Sequence, residues 1–308
     1  MQQQKKPFSH SLQVGFTLVE MAIVLVIIGL IVAGVLVGQD MISAANVRAQ
    51  IAQIEKYKSA VNTFKSKYAN QLPGDIDGAD ATAFGFAARG SYYGEGDGNG
   101  IIEGIVNITP NHNNGIAQGA GETSMFWVDL SQANLIDGSF NTAASNAILV
   151  ADVTPTSSPN LSAFFPPAKI GSGNYVYIFS GGYGTAAGGN HDGYNYFGIE
   201  NISSVASISS LLQGSSTIPV IQAYNIDSKI DDGLPQSGTI LAQYVRNGFV
   251  QWASNSSGNI TSPPFTTATT ATGDVSCFDN GMVAGATQKY STQWKSGAEQ
   301  LCALSFRF

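Results

Sequence analysis

The chain has 308 residues, 44% of them apolar and only 11% charged, against about 25% charged in an ordinary soluble protein. That apolar share excludes disorder by composition, and a net charge of −7 with a pI near 4.8 gives no general basic footprint for nucleic acid. Seven Lys/Arg and three acids fall in residues 1–68, against seven and eighteen in residues 69–308, so a basic N-terminal part precedes an acidic remainder.

Residues 21–38, MAIVLVIIGLIVAGVLVG, are eighteen apolar positions without a charge, the minimum for a membrane span. The leader before them, MQQQKKPFSHSLQVG, carries Lys5 and Lys6, which hold that end in the cytoplasm and send the rest across. No small-residue cleavage site closes the apolar run, which argues against an ordinary secretory signal. The run passes instead into a helical stripe of Val47, Ile51, Ile54, Val61, Phe64 and Tyr68, with Tyr57 and Ala60 beside it. Arg48, Gln53, Lys56, Asn62 and Lys65 fall on the other side. No proline interrupts residues 16–68, and one helix over that span would be roughly 80 Å long. Its first half is apolar all round and suits lipid or a bundle of like helices; its second half suits a globular domain.

Glu20 stands at the lip of the apolar run, where a lone carboxylate is costly inside the bilayer. It is either solvated at headgroup level or matched by a cation. Cleavage after Gly15 would create such a cation, the α-amine of Phe16.

Gly15-Phe16-Thr17-Leu18-Val19-Glu20 and the apolar run resemble the N-terminal signal of type IV pilins and type II secretion pseudopilins. The resemblance covers about 55 residues, including nineteen positions after Glu20 without a charge. It implies a membrane peptidase, the prepilin peptidase, that cuts between Gly15 and Phe16 and N-methylates Phe16. It also implies that Glu20 aligns each incoming subunit with its neighbour. Many family members carry a proline near the end of the apolar run where this chain has Val37; Gly29, Gly34 and Gly38 are the alternative source of helix flexibility.

Gln71-Leu72-Pro73-Gly74-Asp75 marks the end of the helix with a proline. Beyond it, Ile101-Ile102, Ala147 to Val150, Tyr175 to Phe179 and Ile240 to Val245 read as strands between Gly/Asn/Ser clusters, and Glu122 to Leu135 as a helix. The expected class is α+β, a long helix packed on an antiparallel sheet, as the resemblance also implies. Its parts are a cleaved leader (1–15), an assembly helix (16–38), an amphipathic continuation (39–70) and a globular domain (71–308), with turns suggesting two lobes divided near 155–168. Cys277 and Cys302, the two thiols of the chain, suggest one C-terminal disulfide in an oxidising compartment, with buried free thiols as the alternative.

Glu95, Asp97, Asn99 and Glu103 stand at positions one, three, five and nine of an EF-type calcium loop, with Gly100 at six. The twelfth position is Val106 rather than Glu, and an acidic glycine-rich turn explains the pattern equally well. Calcium is therefore a candidate cofactor. Asp227, Asp231 and Asp232, like Asp75, Asp77 and Asp80, form further oxygen-rich loops, read as solvated turn acids in preference to metal ligands. Five Asn-x-Ser/Thr sequons, from Asn107, Asn160, Asn201, Asn255 and Asn259, are expected by chance in this composition.

No enzyme signature emerges: there is no Walker A loop and no GxSxG elbow, and His112 and His191 lack partner sets. The expectation is a minor pilin or minor pseudopilin, not an enzyme. It would be a single-pass bacterial inner-membrane protein with a cytoplasmic N-terminus and a periplasmic domain, partnered by the peptidase and other subunits, with no nucleic acid. The alternative is a tip adhesin or receptor module of such a filament.

Overall fold

The computed structural model describes residues 17–90, 94–104, 121–140, 161–181, 192–204, 212–246, 249–253, 276–281, 283 and 285–308. Gly15, Phe16, Val106, both candidate histidines, the run Ala147 to Val150 and every sequon asparagine except Asn201 lie outside them. The chain divides into two units, Met1–Ala45 and Asn46–Phe308, and helix α1 (Leu18–Lys67) contributes to both. The described residues on either side of 155–168 belong to the second unit.

In the first unit, α1 runs unbroken through Gly29, Gly34, Val37 and Gly38. Its large apolar side chains, from Leu18 to Ile42, are exposed. In the second unit α1 buries Val47, Gln50, Gln53, Ile54, Tyr57, Ala60, Val61 and Phe64, at the three- and four-residue spacing of one helix face. Ile51 and Tyr68 flank that face half-buried.

Two polar members correct the expected stripe, which placed Gln53 on the solvent side. Gln53 Oε1 accepts from Lys169 N (3.0 Å), and its Nε2 donates to Pro167 O (2.9 Å) and Tyr57 Oη (3.0 Å). Gln50 Oε1 accepts from Ile170 N (2.9 Å). These amides satisfy loop backbone that would otherwise be buried without partners. The helix stops before the proline, at left-handed Ala69 and Asn70 (φ 50° and 66°).

Two short helices follow, α2 (Gly78–Phe84) and the almost wholly buried α3 (Glu122–Gln132), then the single turn α4 (Leu161–Phe164). The central strand of the main sheet is β2 (Asn195–Ser204). Antiparallel β1 (Asn174–Ser180) pairs along one edge, and β11 (Leu304–Arg307) and β3 (Gln213–Ser215) share the other. β5 (Ile240–Leu241) extends the sheet beyond β11. Two-stranded pairs join β4 (Ile218–Pro219) with β10 (Gln300–Cys302), β6 (Gln243–Arg246) with β7 (Phe249–Trp252), and β8 (Phe278–Asp279) with β9 (Lys289–Tyr290).

Alternation along β2 sends Phe197 and Ile199 to one face and Tyr196, Gly198 and Glu200 to the other. Phe197 meets Tyr57, Phe126 and Trp127, with ring centroids 6.1, 5.9 and 6.3 Å away, so α1 and α3 cover its face. The opposite face carries the stacked rings of Tyr177, Phe179 and Tyr196, and Tyr177 Oη accepts from Val245 N of β6 (3.1 Å). The sheet is therefore buried on both faces.

The α+β class, the strand at Tyr175 to Phe179 and the helix from Glu122 hold. The expected strand from Ile240 to Val245 breaks at Ala242, whose N–H donates to Pro235 O (2.7 Å). Ile101 and Ile102 are buried in a loop rather than a strand, because Ile102 N donates to the Asn195 side chain (2.9 Å). A further helix, α5 (Val220–Ile230), occupies a stretch read as loop.

Cys277 and Cys302 form a disulfide, Cα–Cα 4.9 Å, across 25 residues. Closing a loop of that size removes roughly 3–4 kcal/mol of chain entropy from the unfolded state. The bond ties the segment entering β8 to β10.

Candidate functional site

Three places hold chemistry: the start of α1, an acidic centre beneath it in sequence, and a basic cavity. At the first, Thr17 N and Thr17 Oγ1 both donate to Glu20 Oε2 (2.7 and 2.8 Å), and Glu20 N donates to Thr17 Oγ1 (3.2 Å). This is a reciprocal capping box. Thr17 O accepts from Met21 N (3.2 Å), the first bond of the helix ladder. The Thr-x-x-Glu spacing announces this cap, a signal that is easily missed beside the question of what cation Glu20 needs. Both cap bonds converge on Oε2; Oε1 accepts none among the described residues. Behind the cap, α1 is the one described helix long and apolar enough to cross a membrane, and none of its apolar window is buried.

The acidic centre is built by three segments. Gly74 turns the chain after α1 at φ 87°, where a Cβ would lie 2.4 Å from Glu122 O, so only glycine lets Asp75 come close to α3. The loop 94–103 then wraps the acids, its glycines 94, 96, 98 and 100 all left-handed. Asp75 accepts from Gly98 N (2.8 Å) and Gly100 N (2.7 Å); Glu122 accepts from Gly96 N (2.9 Å) and Glu103 N (2.7 Å). Carboxylate oxygens of Asp75, Asp97 and Glu122 lie within 4.8 Å of one another.

Of the four residues expected to hold calcium, Asp97 is in this group. Glu103 lies beside it, since Asn99 Nδ2 donates both to Asp97 (3.1 Å) and to Glu103 Oε2 (3.3 Å). Asn99 thus presents its amino group to the acids, and its carbonyl accepts from Ile101 N (2.7 Å). Glu95 is buried with its carboxylate against Gly90, where a Cβ would lie 1.6 Å from Oε2. Asp75, expected as a solvated turn acid, is instead 1% exposed, and Glu122, not anticipated at all, is fully buried.

Burial dominates the acidity here. It pushes Asp75 up to about 8 against the hydrogen bonds from Gly100 and Gly98, with Asp97 adding repulsion. It pushes Glu103 to about 7, again with Asp97 repelling. Glu122 is raised well above the usual carboxylate range by burial, then by Asp75, Glu103 and Asp97.

The other aspartate group also has carboxylate oxygens within 4.8 Å of one another, but its members close the turn after α5. Asp231 accepts from Thr239 N, Thr239 Oγ1 and Ile240 N; Asp232 accepts from Leu234 N (2.8 Å) and Ser237 Oγ (2.6 Å). Asp227, expected in a solvated turn, is buried in α5 and accepts from Tyr290 Oη (2.8 Å) and Gly233 N (3.1 Å).

Burial raises Asp227 to about 7. Between about pH 4 and pH 7 the unfolded chain releases this proton while the folded chain keeps it, so stability falls as pH rises through that window and levels off above it. Asp227→Asn should remove this component. Its melting temperature should drop about 5–10 °C less than that of the wild type between pH 5 and 7.5, as measured by calorimetry.

A cavity of about 360 Å³ in the second unit is lined by Lys58, Lys65, Tyr194, Arg307 and Phe308, among others, with the Arg307 guanidinium 4.6 Å from the Tyr194 ring centroid. Comparison with protein-family models, with curated proteins and with solved structures finds no match for the chain.

Proposed function

We propose that the chain is a filament subunit of the type IV pilin and type II secretion pseudopilin kind, a minor one, anchored in the bacterial inner membrane and polymerised through α1. The observation that carries this reading is the unburied apolar face of α1 from Leu18 to Ile42, which suits lipid before assembly and neighbouring helices after it. Glu20 at its head supports it, with Oε1 left for the Phe16 ammonium that cleavage after Gly15 would release. The Cys277–Cys302 disulfide agrees with a periplasmic second unit. The basic cavity favours a second reading, a tip adhesin or receptor subunit whose second unit takes an anionic ligand.

Co-expression with a prepilin peptidase should yield a mature chain that lacks residues 1–15 and carries a methyl group on Phe16, read by intact mass and N-terminal sequencing. Gly15→Val should leave the leader attached. Glu20→Ala should still insert in the membrane and should fail to enter filaments. A mature N-terminus elsewhere, or undiminished filaments from Glu20→Ala, would overturn the reading.

A further inference from the structure

We infer that Asp75, Asp97, Glu103 and Glu122 form a binding site for a hard divalent cation, and that the ion it fits is calcium. The inference goes beyond the filament reading and stands or falls separately from it. The acids come from the turn after α1, the glycine-rich loop and the first turn of α3, and the oxygens of Asp75, Asp97 and Glu122 already lie within the mutual reach of one ion's coordination sphere.

Glu103, which lies beside this group, supplies a separate observation. Glu103 is 1% exposed, and its Oε1 is buried without a hydrogen-bond partner, while its Oε2 shares the Asn99 amino group with Asp97. A buried carboxylate oxygen left unpaired beside other acids costs stability unless something positive meets it. Among the described residues no side chain does so. Arg89 is the single Lys or Arg between residues 69 and 168, and it is paired with Asp129.

The backbone bonds to Asp75 and Glu122 do not compete with a metal. Each carboxylate oxygen has a second lone pair, and N–H donors of the loop hold the oxygens in place. Four carboxylates, with no thiol or imidazole beside them among the described residues, do not make a zinc-type donor set. They also exceed the one or two that magnesium, with its retained waters, accepts from a protein. The site therefore differs from the one read along the loop: Asp75 and Glu122 replace Glu95 and Asn99, and the ion would pin three segments together rather than close one loop.

The test is calorimetric titration of the full-length protein in detergent with calcium chloride after chelator treatment, together with thermal melts. Wild type should bind calcium saturably, gain about 5 °C or more at a hundredfold excess over Kd, and bind magnesium at least about tenfold more weakly. Asp97→Asn and Glu103→Gln should each weaken calcium binding by about tenfold or more. Each should also melt no lower than wild type in chelator, because a repelling charge has gone. That opposite pair of signs separates a ligand from a residue needed only for folding. Absence of saturable calcium binding in wild type, or wild-type affinity in both variants, would overturn the site. Tighter binding of magnesium than of calcium would overturn the choice of ion.

Discussion

Replacing Asp129 with alanine should destabilise the protein by about 3–5 kcal/mol, read as a lower denaturant midpoint at unchanged slope. Asp129 Oδ2 accepts from Arg89 Nη2 and Gly74 N, both at 2.6 Å, and neither charged side chain is exposed. Burial pushes the pKa of Asp129 up and Arg89 opposes it. Alanine would strand the guanidinium inside the protein and free the Gly74 amide, loosening the turn that presents Asp75. The double variant Arg89→Met/Asp129→Leu removes both charges and should recover most of the loss, stopping short by the bond to Gly74. If Asp129→Ala costs less than about 1 kcal/mol, the pair carries no more than a surface ion pair would.

Phe197→Ala should cost a similar amount, about 3–5 kcal/mol, by the same measurement. Its ring is fully buried and sits 4.3 Å from that of Phe308, in addition to Tyr57, Phe126 and Trp127. The variant would open a void where α1, α3 and the sheet converge, and no single neighbour could collapse to fill it. Phe197→Leu should cost less than half as much, since it keeps most of the volume. Equal costs for both would mean that ring geometry, rather than filled space, holds the junction.

What was legible in the sequence was local. The stripe on α1, the strand from Tyr175 and the helix from Glu122 follow from spacing, and two thiols admit one pairing. What was missed is long-range or polar. Gln50 and Gln53 break the apolar stripe because their partners are loop amides more than a hundred positions away. The acidic centre joins residues 75, 97 and 122, a set that no local spacing reveals, so a loop motif drew in Glu95 and Asn99 instead. Helix α5 was hidden by reading Asp227 as a turn acid, although Val220, Ala223, Ile226 and Ile230 carry the helical period.

The Thr17–Glu20 cap has a bearing on the proposed maturation. Among the described residues, the bonds at the opening turn of α1 use atoms of Thr17, Glu20 and Met21, all on the far side of the Gly15–Phe16 linkage. A protease cutting there would break none of these bonds, so the cap could hold the helix wound while the chain ahead of it is removed.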